Sequence, residues 1–159
     1  MQQKLAQLGG GAHALATQIL GNADDAADAV QDAFTAVLSA PDSYDARKGP
    51  LRPWFMRVVR NRCLDMLRRR RSGEDSAELV RDPDPGPEQS FSKEQRSAGL
   101  RHAISVLPAD KREIIVLRDY MDLSYAEIAE VLGIASGTVM SRLHRARLAL
   151  KEALEIDGK

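Results

Sequence analysis

Pro83, Asp84, Pro85, Gly86 and Pro87 stand together in the middle of the chain. Three prolines in five residues cannot lie inside a helix or a central strand, because each ring removes an N–H donor and fixes φ. They fall within residues 72–92, which are rich in acids and poor in large apolar side chains. Such a stretch reads as a flexible linker. No helix or strand can run through it, so the 159 residues divide into an N-terminal part, 1–71, and a C-terminal part, 93–159. Each part has the size of a small domain.

The pattern on both sides is helical. Asn22 can cap a helix whose first turn holds Asp24 and Asp25, where the positive end of the helix dipole favours acids. Ala26, Val30, Ala33, Phe34, Val37 and Leu38 follow helical spacing, and the helix is expected to end near Ala40, before Pro41. Residues 41–53 hold three prolines and a glycine and read as a loop. A second helix is predicted from about Trp54 to Arg71, with Phe55, Val59, Cys63 and Leu67 as one apolar stripe. Arg57, Asn61, Asp65 and Arg68 form a polar stripe on the same helix. Residues 1–20 look helical but are interrupted by Gly9, Gly10 and Gly11. In the C-terminal part, helices are expected over Phe91–Val106, from Pro108 to about Tyr120, over the capping box Ser124–Glu127 to Leu132, and from a Ser136 cap to about Leu154. No alternating strand pattern of useful length is present. The expected class is all-α: two small helical domains on a linker.

Charge separates the parts further. The total is zero, 23 cations against 23 acids, but it is distributed in blocks. Residues 1–46 carry a net −5, residues 47–71 a net +9, and residues 72–96 a net −4. Residues 137–151 hold four cations and no acid. Two basic blocks set in acidic sequence point to a polyanionic partner more than the total does.

The sharpest local motif is Tyr125–Leu143. Ile128, Ala129, Leu132, Gly133, Ile134 and Val139 have the spacing of a helix-turn-helix. The small Ala129 lets two helices approach, Gly133 supplies the turn, and Ile134 and Val139 close the core between them. The second helix then offers Ser136, Thr138, Ser141, Arg142 and Arg145, side chains suited to phosphates and major-groove base edges. The plainer alternative is a helical hairpin with a solvated basic face. A second motif is the arginine-rich helix ending in Arg68, Arg69, Arg70 and Arg71. Trp54 and Phe55 open it beside Arg47 and Lys48, and aromatics next to cations suit unpaired bases. Trp54 can equally be a core residue. The acidic helix places Asp28, Gln31, Asp32 and Thr35 on one side, either as a solvated face or as a protein-docking face.

Enzyme signatures are absent. The chain has no glycine-rich phosphate loop, and His13, His102 and His144 lie far apart. The single cysteine, Cys63, excludes a disulfide framework and a cysteine-rich metal site, and its place on an apolar stripe reads as a buried thiol. No cofactor or metal is expected. The apolar runs are too short for a membrane-spanning helix, and a signal peptide is not evident, so a cytoplasmic protein is expected.

Three strings together resemble the extracytoplasmic-function (ECF) group of the sigma-70 family of bacterial transcription factors. Asp24–Leu38 is similar to the region 2 helix that docks on core RNA polymerase. Trp54–Arg71 resembles the helix that reads and melts the −10 element, and Leu123–Lys151 the region 4 helix-turn-helix that reads the −35 element. The resemblance implies a sigma factor that is not itself an enzyme. It would bind core RNA polymerase, direct initiation at −35/−10 promoters and be held by an anti-sigma factor. It would place Asp28, Gln31, Asp32 and Phe34 at the polymerase, and Ser136, Thr138, Ser141, Arg142 and Arg145 at duplex −35 DNA. Arg47, Lys48, Trp54, Arg57, Arg60 and Asn61, with the loop 42–52, would take the single-stranded −10 element. The helix from Lys111 to Tyr120 would face the polymerase flap. Two features depart from the family pattern: the glycine run stands where a fuller pair of helices is usual, and Met140 stands where Lys or Arg is common. Competing readings are a stand-alone helix-turn-helix regulator and a sigma-like decoy that titrates an anti-sigma protein.

Overall fold

A computed structural model describes residues 2–73 and 91–157, with backbone only for 91–97 and 157. Most of the predicted linker lies outside the described residues. Among those described, every regular element is helical.

The N-terminal half contains α1 (Gln2–Gln7), α2 (Gly9–Leu20), α3 (Ala23–Ser39) and α4 (Leu51–Arg71). Two short 3-10 turns, Pro41–Ser43 and Ala46–Lys48, lie between α3 and α4. The helix over residues 1–20 does break, but at Leu8, just ahead of the glycine run: all three glycines form the first turn of α2, and the Ala12 N–H donates to the Leu8 carbonyl at 2.9 Å. First-turn N–H groups lack partners in any helix, and packing supplies what weak propensity does not. Asn22 caps α3 as predicted, its side chain accepting from the Asp25 N–H at 2.8 Å. Helix α4 begins three residues before the expected Trp54. Pro53 falls in its first turn, where a missing N–H costs nothing.

Helices α2, α3 and α4 pack on one another around small side chains. Ala12, Ala16, Ala26, Ala29 and Ala33 are fully buried. Phe55, Met56, Val59 and Cys63 of α4 close this core, and the Phe34 and Phe55 rings meet at a centroid distance of 5.0 Å. Leu38, which helical spacing assigned to the core, is 45% exposed.

The C-terminal half holds α5 (Phe91–Ser105), α6 (Ala109–Ile115), a π-helical turn (Val116–Tyr120), α7 (Tyr125–Leu132) and α8 (Ser136–Asp157). In the π turn the Met121 N–H reaches back five residues to the Val116 carbonyl at 2.9 Å. Asp122 then takes a left-handed φ of 57° and ends the segment. Ser124 and Glu127 make both bonds of the predicted capping box, at 3.1 and 2.8 Å. Gly133 adopts φ +68°, where a side chain is disfavoured, and turns the chain into α8. Ser136 is the first residue of α8 rather than its cap. The Ala135 carbonyl receives the first bonds, from Thr138 at 3.0 Å and Val139 at 3.1 Å. Ile128, Val131, Val139, Leu143 and Ala146 form the buried seam of the hairpin.

The halves do not stand apart. Buried side chains from both belong to one contiguous core. Helix α2 lies against α6 and the π turn, and α4 lies against α7. Glu113 of α6 is buried and accepts a forked pair from Arg60 of α4, at 3.1 Å from Nη2 to Oε1 and 3.3 Å from Nε to Oε2. Burial pushes the Glu113 carboxyl above the ordinary carboxylate range, although Arg60 pulls it down. Nearby, Cys63 is fully buried, and its thiol is pushed up to about 12 by burial and by the Glu113 carboxylate, against the opposing charge of Arg60.

Two outcomes are expected. Phe55→Ala should lower unfolding stability by about 3–5 kcal/mol in urea titrations, the usual cost of emptying a well-packed aromatic site; a loss under about 1 kcal/mol would show that this site is not the packed centre. The Cys63 thiol should resist a disulfide-exchange reagent at pH 8 in the folded protein and react at once in denaturant. Rapid native-state reaction would contradict its burial.

Candidate nucleic-acid and protein interfaces

Helix α8 presents the first cationic surface. Ser136, Ser141, Arg142 and Arg145 are exposed, and Thr138 is half-buried. The Ser141 hydroxyl donates to the Thr138 carbonyl at 3.1 Å, which holds both near the N-terminal end of the helix. A cleft of about 300 Å³ between α6 and α8 is lined by Asp110, Lys111, Arg142 and Arg145. Sequence reading had placed Lys111 on a separate surface. Its place in the first turn of α6, the end of a helix that disfavours a cation, is the signal that could have marked it. Met140 is 58% exposed on α8.

The second surface is built from the loop before α4 and from α4 itself. Arg47 and Lys48 are exposed on the second 3-10 turn. Asp45 shapes that turn by accepting from the Arg47 N–H at 3.0 Å and from its Nε at 3.2 Å. The Tyr44 hydroxyl donates to the Gly49 carbonyl at 2.7 Å, and its ring meets Trp54 at 5.0 Å. Trp54 is thus half-buried as a brace for the loop. A groove of about 640 Å³ runs beside it, lined in part by Lys4, Leu8, Tyr44, Leu51 and Arg52. The Arg52 Nη2 is buried and has no hydrogen-bond partner among the described residues. Arg57 and Asn61 lie one turn apart on α4 and are exposed. Arg60 is not brought to that surface, because its guanidinium is engaged by Glu113. In the terminal arginine run, Arg68 pairs with Asp65 and Arg70 with Asp25, while Arg69 and Arg71 are exposed.

The third surface is the outer face of α3. Asp28, Gln31 and Asp32 are exposed there, with Thr35 and Leu38 beside them. Phe34 does not share that face; it turns inward onto Phe55. Glu113 escaped sequence reading entirely, because one acid among the charged residues of α6 gives no local sign of a partner 53 residues away.

Among the described residues no cluster of His, Cys, Asp or Glu could hold a metal ion, and no helix is long and apolar enough to cross a membrane.

Comparison with known proteins agrees with this layout. The family profile for Sigma-70 region 2 matches residues 6–73, and that for Sigma-70 region 4 matches residues 97–150. The ECF RNA polymerase sigma factor SigE of Mycolicibacterium smegmatis is 37% identical over 88% of this chain, which spans only 56% of that relative's length. The ECF RNA polymerase sigma factor EcfG of Rhodopseudomonas palustris is 34% identical over 91% of this chain and 80% of its own. The sigma factor RpoE of Bartonella quintana, solved in complex with the anti-sigma factor NepR, superposes with a TM-score of 0.75 at 28% identity, covering 98% of this chain and 97% of that one. Two helical units in this order, matched along nearly the whole chain, place the protein in the sigma-70 family of RNA polymerase sigma factors, in its ECF group.

Proposed function

We propose that this chain docks on core RNA polymerase through the exposed side of α3 and acts in the cytoplasm, where polymerase works. In this reading α8 enters the major groove of the −35 duplex. Ser136, Thr138, Ser141, Arg142 and Arg145 meet it, and Lys111 adds a phosphate contact from α6. The loop 42–52, with Arg47, Lys48, Trp54, Arg57 and Asn61, takes the unpaired −10 strand. Arg60 joins them once it is freed from Glu113. An anti-sigma protein holds the factor inactive, as NepR is bound to its sigma factor.

The observation that carries this reading is the pairing of two exposed cationic surfaces on the two matched family regions. Each surface suits a different form of DNA. Arginines and hydroxyls near a helix N-terminus suit duplex edges, and a braced aromatic loop beside cations suits extruded bases. Separating bases costs a few kcal/mol, so melting needs a second surface that repays it.

Run-off transcription with bacterial core enzyme on fragmented genomic DNA tests the whole. Discrete new starts that share −35 and −10 sequences are expected on adding this protein. Absence of starts, with or without binding to core, would sink the reading. Arg142→Ala should weaken promoter use roughly ten-fold, as the loss of about 1–3 kcal/mol implies. That loss should vanish when the −35 sequence is scrambled. Asp32→Arg should abolish co-purification with core enzyme while the circular dichroism spectrum stays unchanged; undiminished co-purification would remove α3 from the docking role.

A further inference from the structure

Helix α8 sorts its exposed side chains by charge. At about 100° per residue, the buried Val139, Leu143 and Ala146 point to one side, and the exposed Gly137, Ser141 and His144 fall on the opposite one. Arg142 and Arg145 stand on the flank toward α6, where they share a cleft with Lys111. Met140 stands on the other flank and is 58% exposed. The next cation on that flank, Arg147, lies farther along the helix and is held by Asp119 of the π turn, its Nε donating at 3.3 Å. Charge that seeks phosphate is thus kept to one edge of the helix where α8 begins, and the other edge is apolar.

Gly137 adds to this. Glycine weakens a helix, and here the protein's own packing does not call for it, since a Cβ would meet nothing within 4 Å. What the bare backbone does allow is close approach of another molecule to the first turn of α8, next to Met140 and Ser141 on the following turn. Single exposed apolar side chains are common, but this one borders the strip that the reading above turns toward the duplex. Phosphates line the edges of the groove and carry no sequence. On its floor the bases present donors, acceptors and one apolar group, the 5-methyl of thymine. Methionine has no donor for a phosphate oxygen. Against a polar base edge it would strip water and return no hydrogen bond. Its unbranched, polarisable side chain suits a methyl group.

We propose that Met140 is a base-reading residue of this chain, packing its side chain on the 5-methyl group of one thymine in the −35 duplex. The inference rests on the reading of α8 as the −35 helix. It adds a source of sequence preference to the hydroxyls and arginines already placed there. Having Met140 where Lys or Arg is common then exchanges a charge for a thymine-selective contact, and is not a mere loss of a contact.

The test uses the full chain with core enzyme on a promoter found by run-off transcription. Each thymine of its −35 element, on either strand, is replaced singly by deoxyuridine, which removes the methyl group and keeps every donor and acceptor. The protein concentration for half-maximal initiation is then read for wild type and for Met140→Ala. At one thymine the wild type should need about four-fold more protein, the loss expected for one buried methyl group. Met140→Ala should be indifferent to that same replacement, which isolates the pairwise contact from any change in DNA shape. A −35 element in which no deoxyuridine weakens the wild type would overturn the inference. So would a loss that persists undiminished in Met140→Ala, and either result would leave the proposed function standing. Absence of discrete starts would instead strike the reading of α8 and this inference with it. The side chain is exposed, so Met140→Ala should keep the wild-type circular dichroism spectrum. Should it fail to fold or to initiate, Met140→Gln, of similar length and helix preference, is read against the same criteria.

Discussion

Close contact between helices through one-carbon side chains governs the N-terminal half. With Ala12, Ala16, Ala26, Ala29 and Ala33 fully buried, α2 and α3 meet largely through methyl groups, and Phe55, Met56, Val59 and Cys63 bring α4 onto them. Helices packed at such short range have little freedom to rotate about their axes, since any turn replaces a methyl with something larger. The rotation of α4 follows. Phe55, Val59 and Cys63 face inward, so Arg57 and Asn61 must face outward. The exposed acids of α3 are placed the same way, by what its opposite side buries.

The seam between the halves works by different physics. Its one buried acid is held away from water, and burial raises its proton affinity despite the adjacent guanidinium. Such pairs add little net stability over apolar side chains of similar shape, yet stranding one partner is costly. The Arg60–Glu113 pair therefore discriminates between correct and displaced seating of α6 on α4 more than it strengthens the seat. Arg112 acts alike, since the Gln18 carbonyl it reaches exists only where α2 ends. Apolar burial joins the halves, and these polar contacts choose the register.

Much of this was legible from local chemistry. The Asn22 cap, the Ser124–Glu127 box and the Gly133 turn are interactions within a few residues, and each formed where its residues stood. The exposed serines and arginines of α8 followed from the hairpin that those signals delimit. Sequence reading failed where a distant partner decides. The glycine run looked like the break itself, whereas the chain turns at Leu8 just before it and the glycines open α2. Pro53 suggested a loop because proline both ends helices and begins them. The resemblance put Phe34 and Arg60 on partner surfaces, but Phe55 and Glu113 draw them inward, and for Phe34 the apolar spacing of its helix had pointed the same way. Joining of the halves in one core left no trace in either half, because a helix face that meets a second domain reads like one that meets its own.

The π turn at Val116–Tyr120 sets a phase. Each residue in an α-helix advances the chain by about 100° around the axis. A turn that spends one more residue than an α-turn leaves everything after it rotated by about that angle from where an unbroken helix would put it. Met121 is the first residue to feel that offset, and Gly11 lies on the side it points to. A one-residue deletion here would behave as a rotation, turning Met121 away from Gly11 and carrying the helix-turn-helix around with it.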